Sequence, residues 1–361
     1  MGLKGSSTCS VIFDNVKVPQ ENIIGEIGKG HVIALNVLNL GRHKISATSL
    51  GTAKRAIEIA VTYANHRKQF GQSLSCFALI KNKLADMAIK TYVKESAIYR
   101  TAGLLEKSFN DLTDKNDVAS VISNFAVECS INKIISSEAL DFIVDEALQI
   151  HGSYGYMDEY EIETLYRDSR ITRIFEGTNE INRLNIAMTL LKTYEKQTKQ
   201  TKAQNGILIQ EKQTLLLLKN LYHALIFSIQ KYDLVMLNEE QEVAAFLADL
   251  VSYIYAIESA ILRTEKVIKL SGFERNEQKL DYTMVFTHEQ SQQLAIRALN
   301  FLPYLGDEES LSQHACRLMR SSQKDLVKIK RRIAGIIIKE ENINHNLYKR
   351  VNKDGEKRCV C

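Results

Sequence analysis

Apolar residues recur at three- and four-residue spacing along most of this 361-residue chain, and only two prolines interrupt it. That pattern admits long helices and few turns. Val32, Leu35, Val37 and Leu38, then Ile45, Leu50, Ala53, Ala56, Ile57, Ala60, Val61 and Ala64, predict amphipathic helices, with Gly41 loosening the join between them. Further helices are predicted over about 77–107, 117–151, 207–233, 238–271, 281–302 and 308–340. A polar loop at 110–116 and a polar linker at 195–206 punctuate the series. Residues 1–24 are the one β-like stretch: Val11, Phe13, Val16 and Val18 are β-formers, Asp14-Asn15 signals a turn, and Pro19 closes the run.

Charge excludes several classes of function. The 47 basic and 43 acidic residues are largely interleaved, so the net charge of +4 marks neither a nucleic-acid footprint nor an acidic partner. Cys9, Cys76, Cys129, Cys316, Cys359 and Cys361 form no Cys-x-x-Cys and suit a reducing compartment. No spacing of His, Cys, Asp and Glu suggests a metal. No signal or transit sequence is visible. The most apolar run, Val243 to Leu262, contains Asp249 and Glu258 and reads as a buried amphipathic helix rather than a membrane span. Lys324 to Arg332 is a basic helix, expected to present a solvated face, so membrane contact is at most peripheral. The Cys-Val-Cys tail, with Arg358 fourth from the end, is not a prenylation box.

Chemistry concentrates at 166–183. Arg167, Arg170 and Arg173 lead into the apolar pair Ile174 and Phe175, then into Glu176 and Gly177. A helix restarts after them, with Glu180 in its first turn and Ile181, Leu184, Met188 and Leu191 at helical spacing. An apolar neighbour desolvates a carboxylate and favours its neutral form, while a glycine frees the backbone. Those are the requirements of a general base. The competing reading is a solvated carboxylate in a loop between two helices.

The whole string resembles the acyl-CoA dehydrogenase family, which carries a closely similar Arg-Asp-x-Arg, four-residue, Glu-Gly-Thr-x-x-Ile-x-Arg segment. Three other stretches support the resemblance. Gly5 to Gly25 is similar to the last strands of the family's middle β-domain, and Arg67 with Phe70-Gly71 to its Arg-x-x-Phe-Gly. Gln149-Ile-His-Gly-Ser153 resembles its Gln-x-x-Gly-Gly, with Ser153 where the second glycine is usual. Glu258 to Glu265 resembles the C-terminal helical extension of the very-long-chain-like branch, which includes bacterial fatty-acid-degradation members.

The resemblance implies a mainly α fold. An end of the β-domain would occupy 1–25, a helical FAD and acyl-CoA domain containing a four-helix bundle 26–196, and a second helical domain 197–361. The family's N-terminal helical domain and most of its β-domain have no counterpart here, and Met1-Gly-Leu-Lys looks like an internal Met-Gly-x-Lys. The chain is therefore expected to be a piece of a longer protein, helical but self-associating and free of flavin by itself.

The implied reaction is α,β-dehydrogenation of a fatty acyl-CoA in β-oxidation. Glu176 would take the α-proton while the β-hydride passes to FAD, giving a trans-2-enoyl-CoA, and electrons would leave to an electron-transferring flavoprotein. FAD would be held by Arg67, Phe70, Gln149, Ile150, His151, Gly152 and Ser153, partly across a subunit boundary, and by Thr178, Asn179 and Glu180. Asn39, Arg42 and Gly177 would meet the substrate, Arg42 toward the CoA adenine and phosphate. His151, read from its residues alone, is a packed or hydrogen-bonded side chain. A homodimer or homotetramer follows, cytoplasmic in a bacterium or mitochondrial in a eukaryote. Two alternatives stay open: a non-catalytic helical interaction module, and an acyl-CoA oxidase.

Overall fold

The computed structural model describes residues 1–113, 118–194, 206–231, 239–306, 310–320, 324–340, 350–351 and 357–358. The Cys-Val-Cys tail and most of the polar linker lie outside the described residues. The helical expectation holds. α1 (Gly30–His66), α2 (Ala78–Asn110), α3 (Val118–Asn124), α4 (Ala126–His151), α5 (Glu161–Ser169) and α6 (Asn179–Thr193) form the first group. α7 (Ile209–Lys231), α8 (Gln241–Ser271), α9 (Glu277–Leu305), α10 (Ser310–Met319) and α11 (Leu326–Glu340) form the second. Two minimal antiparallel pairs, β1 (Lys68–Gln69) with β2 (Gln72–Ser73) and β3 (Arg350–Val351) with β4 (Lys357–Arg358), and a few short 3-10 turns accompany the helices.

Several boundaries depart from the sequence reading, each for a local reason. α1 is one continuous helix of 37 residues, about 55 Å at the standard rise, and passes through Gly41 without a break. The stretch 117–151 is two helices, split at Phe125 just after Ser123 and Asn124, whose side chains compete with the helical backbone. Phe70 and Gly71 both have positive φ (51° and 80°) and form the two-residue turn between β1 and β2. The β-formers at 11–18 form no strand. A strand needs a ladder partner, and among the described residues none pairs with this segment, so Val11, Phe13, Val16 and Val18 stay exposed.

α4 is the central element. It packs against α1, α2, α5 and α6 and touches α8, and it buries even Ser130, Asn132, Lys133, Ser136 and Ser137. α1 and α4 lie parallel: Arg42, a third of the way along α1, faces Ser130 near the start of α4, and Tyr63 stacks on His151 at their ends.

The second group packs onto the first through ion pairs set into a shared core. Arg263 reaches Glu95 at 2.7 Å, and Glu95 is also paired with Lys54. Glu258 of α8 joins Arg100 (2.8 Å) to Lys219 (2.6 Å). Asp249 accepts Arg183 at 2.7 Å and Arg297 at 2.9 Å. Glu258 and Asp249 are the acidic residues that argued against a membrane span. By length and composition α8 could cross a membrane, yet 61% of its apolar window is buried in the fold. The basic helix is likewise not simply solvated. Lys330 pairs with Asp86 and Glu289 at 2.7 and 2.6 Å, and Arg332 with Asp281, so α11 uses its cations to dock on α2 and α9.

Candidate functional site

α5 ends in a short 3-10 turn, Arg170–Arg173, and Thr178 caps α6 by accepting the Ile181 N–H at 3.3 Å. Between these fixed ends the chain must reverse within Ile174–Gly177. It does so with two successive left-handed residues, Glu176 at φ 56° and Gly177 at φ 79°. Glycine adopts that conformation freely. A glutamate there stores strain on the order of 1–2 kcal/mol, which surrounding contacts must offset.

Those contacts fall on the carbonyls. Arg42 Nε donates to Glu176 O at 3.1 Å, and Lys133 Nζ donates to Gly177 O at 2.8 Å. The Asn182 amide donates to three carbonyls in succession, Glu176 (3.4 Å), Gly177 (2.8 Å) and Thr178 (3.0 Å). Lys133 also reaches Asn179 Oδ1 at 2.7 Å. The turn is held from beneath, which leaves the Glu176 side chain to do something else.

That side chain lies against α1. A Cβ on Gly41 would stand 2.6–2.7 Å from both carboxyl oxygens and Cδ, so the carboxyl occupies space that only a glycine leaves. Its Oε2 is buried and has no hydrogen-bond partner. Ile174 and Phe175 remain partly exposed beside it and form an apolar rim. A carboxyl oxygen that accepts no hydrogen bond keeps a lone pair that a proton could occupy.

Asn39 and Arg42, expected at the substrate, point inward. Arg42 is 6% exposed, its Nη1 donating to Asn39 Oδ1 (2.7 Å) and Ser130 Oγ (3.5 Å) and its Nε to Glu176 O. Burial pulls its guanidinium below the ordinary range, and the Glu176 carboxylate opposes that. Asn179, expected at the flavin, is also buried, and its amide is committed to Lys133, Ser137 and Glu138. Thr178 and Glu180 do stand at the outer N-terminal end of α6. Glu180 lies below the usual carboxylate range, held there by its backbone hydrogen bond and by Thr178.

The other expected residues gather at the far end of α1 and α4. Gln149, Gly152 and Ser153 are exposed there, beside Arg67, whose guanidinium lies 5.6 Å from the centre of the Tyr154 ring. Phe70 projects outward, 92% exposed. Ile150 and His151 are buried. His151 stacks on Tyr63 at 4.2 Å, its Nδ1 bonds to Ala147 O at 2.7 Å, and burial lowers its pKa. It is packed, as its residue context suggested. The two clusters are thus separated along α1 by the stretch from Gly41 to His66, roughly 38 Å at the standard rise.

Gly41, Lys133 and Asn182 escaped sequence reasoning. The available signals were a glycine inside an apolar helix, a lysine inside the apolar run Ile131–Ile135, and an asparagine one turn into α6.

Residues 28–191 match a family model described as acyl-CoA dehydrogenase, C-terminal domain, and residues 224–319 match a second model of the same description. The chain is 43% identical to a probable acyl-CoA dehydrogenase of Bacillus subtilis (strain 168), across 94% of this chain and 62% of that protein. It is 45% identical to the mitochondrial very long-chain specific acyl-CoA dehydrogenase of Rattus norvegicus, over 52% of this chain and 27% of the relative. A crystal structure of an acyl-CoA dehydrogenase complexed with FAD from Bacillus anthracis superposes with a TM-score of 0.86 at 43% identity, covering 92% of this chain and 60% of that one. The chain spans less than two thirds of the length of each of these relatives.

Proposed function

Because the chain belongs to the acyl-CoA dehydrogenase family, we propose that it serves flavin-dependent α,β-dehydrogenation of a fatty acyl-CoA, with Glu176 as the base. The observation that carries this reading is the Glu176 carboxyl, lodged against Gly41 with one buried oxygen unpartnered. The division into a helical domain ending near residue 196 and a second helical domain is supported by the two separately matched segments.

The residues present fit FAD. Arg67, Gln149, Gly152 and Ser153 form an exposed cationic and amide-rich corner that would hold the cofactor's phosphate-bearing and adenosine side. The free N–H groups at the start of α6, beside Thr178 and Glu180, would meet the rest. As the family resemblance implies, the Arg67 corner of one protomer would serve the flavin beside Glu176 of another, which favours a homo-oligomer. When bound, FAD supplies the acceptor for the two electrons and the β-hydrogen. Glu176 would accept the α-proton, Ile174 and Phe175 would help exclude water around it, and Arg42 would position its backbone. An electron-transferring flavoprotein is the expected oxidant of the reduced enzyme, and the Bacillus relative favours a bacterial cytoplasm.

Adding saturated acyl-CoAs of graded chain length to the holoenzyme without oxygen should bleach the flavin absorbance. Colour should then return with an electron-transferring flavoprotein and only slowly with oxygen, whereas rapid return with oxygen would make it an oxidase. Absorbance unmoved by every chain length would overturn the reading. Arg67→Ala and Gln149→Ala should lose FAD on gel filtration while the apoprotein Tm holds, since both residues are exposed. An equal drop in Tm with and without added FAD would make them structural instead.

A further inference from the structure

Lys133 is 0% exposed, on the helix at the centre of the fold. A lysine is rarely buried so completely without a task. Its Nζ does not meet a carboxylate within ion-pair distance among the described contacts. It donates instead to Gly177 O at 2.8 Å and to Asn179 Oδ1 at 2.7 Å. Ser137, one turn on in α4, donates to the same Asn179 oxygen at 3.3 Å. Both Lys133 contacts bracket Thr178, so the ammonium pins the junction between the left-handed turn and α6.

We infer that Lys133 is a positioning residue for proton abstraction, a buried ammonium that fixes the Glu176–Gly177 turn and so holds the carboxyl in the gap beside Gly41. The inference rests on Glu176 being the base. Of the two residues in the turn, only Glu176 resists its conformation, because glycine does not. A charge-assisted bond to the carbonyl of the next residue acts where that strain would be released. Lys133 and Arg42 therefore divide the work, one carbonyl each, from α4 and α1.

The charge on Lys133 is within experimental reach. Burial pushes its pKa down to about 8, opposed by Glu180 of α6; Arg42 of α1 and Arg183 of α6 lower it further, and Glu138 of α4 raises it. Below about pH 8 the group is an ammonium, and above it the charge is lost together with the stronger form of both bonds. Activity limited by this residue falls as pH rises through that value.

The test compares the holoenzyme with Lys133→Met and Lys133→Arg, following flavin reduction by a saturated acyl-CoA. Lys133→Met should lower kcat about 100-fold, the scale of a 1 Å misplacement, with KM and flavin content nearly unchanged. Lys133→Arg, charged at every accessible pH, should keep the rate within about tenfold and lose the fall above pH 8. Wild-type kcat in Lys133→Met, or an unshifted alkaline fall in Lys133→Arg, would overturn the inference. If Lys133→Met does not fold, the Lys133→Arg profile decides alone. Glu176→Gln, run alongside, separates the two levels. Turnover by that variant would remove the base assignment, whereas an inactive Glu176→Gln with an active Lys133→Met removes only the role of Lys133.

Discussion

In the context of the full-length enzyme, Glu176→Gln is expected to keep its flavin, bind acyl-CoA and reduce that flavin about 10⁴-fold more slowly than wild type, the upper range for loss of a general base. Gln matches Glu in shape, so the gap beside Gly41 stays filled. The turn itself is gripped through backbone carbonyls, which the substitution does not touch. The fold therefore has no reason to change. What is lost is an oxygen able to take a proton, and the atoms nearest a Cβ built on Gly41 all belong to Glu176. Stopped-flow absorbance measures the rate, and spectral perturbation by a bound enoyl-CoA checks that the ligand still docks. A rate within about tenfold of wild type would move the base elsewhere.

Gly41→Ala is the second large effect, and its sign is opposite for stability and activity. Gly41 lies inside α1 at ordinary helical φ, where alanine is the better helix former by about 0.5–1 kcal/mol. The new methyl would meet Glu176 Oε2 at 2.6 Å, and the atom that must yield is the free end of a side chain, not backbone. The helix gains while the carboxyl swings out of place. Tm should hold or rise, and the rate should fall about 100-fold, the scale of a 1 Å misplacement near the reacting atoms. Unchanged turnover would show that the carboxyl does not act from this gap. A clear loss of Tm would show that α1 cannot absorb the methyl.

The sequence carried the helices well, because 3.6-residue periodicity is a property of each segment alone. It carried the position of the carboxylate for the same reason, since Glu176-Gly177 between two helical patterns is a local signal. What it carried poorly was direction. Arg42 and Asn179 are polar residues beside a site, and nothing in their neighbours along the chain says that they turn inward to serve carbonyls of the turn. Gly41 reads as a weak point in a helix until the carboxyl that needs its missing side chain is brought to it from position 176. The basic run in α11 reads as a wet face because Asp86, Glu289 and Asp281 are distant in sequence. The β-formers near the start misled in the other direction, since propensity specifies a strand only where a partner strand exists.

Arg183 has a consequence for anyone who would treat the two groups of helices as separable modules. Burial works against its charge, and Glu138 of α4 with Asp249 of α8 outweighs burial, holding the guanidinium above its ordinary range. It stands one turn after Asn179 in the helix that begins after the Glu176–Gly177 turn. A minimal catalyst cut after residue 194 would strip Asp249 from Arg183 and Arg263 from Glu95, a carboxylate that is itself fully buried. It would also uncover the α2 face around Tyr92 and Thr101, which α8 now covers through Thr264 and Tyr255. The second group of helices is thus a bearing wall of the first, and shortening the chain there redesigns the interior of what remains.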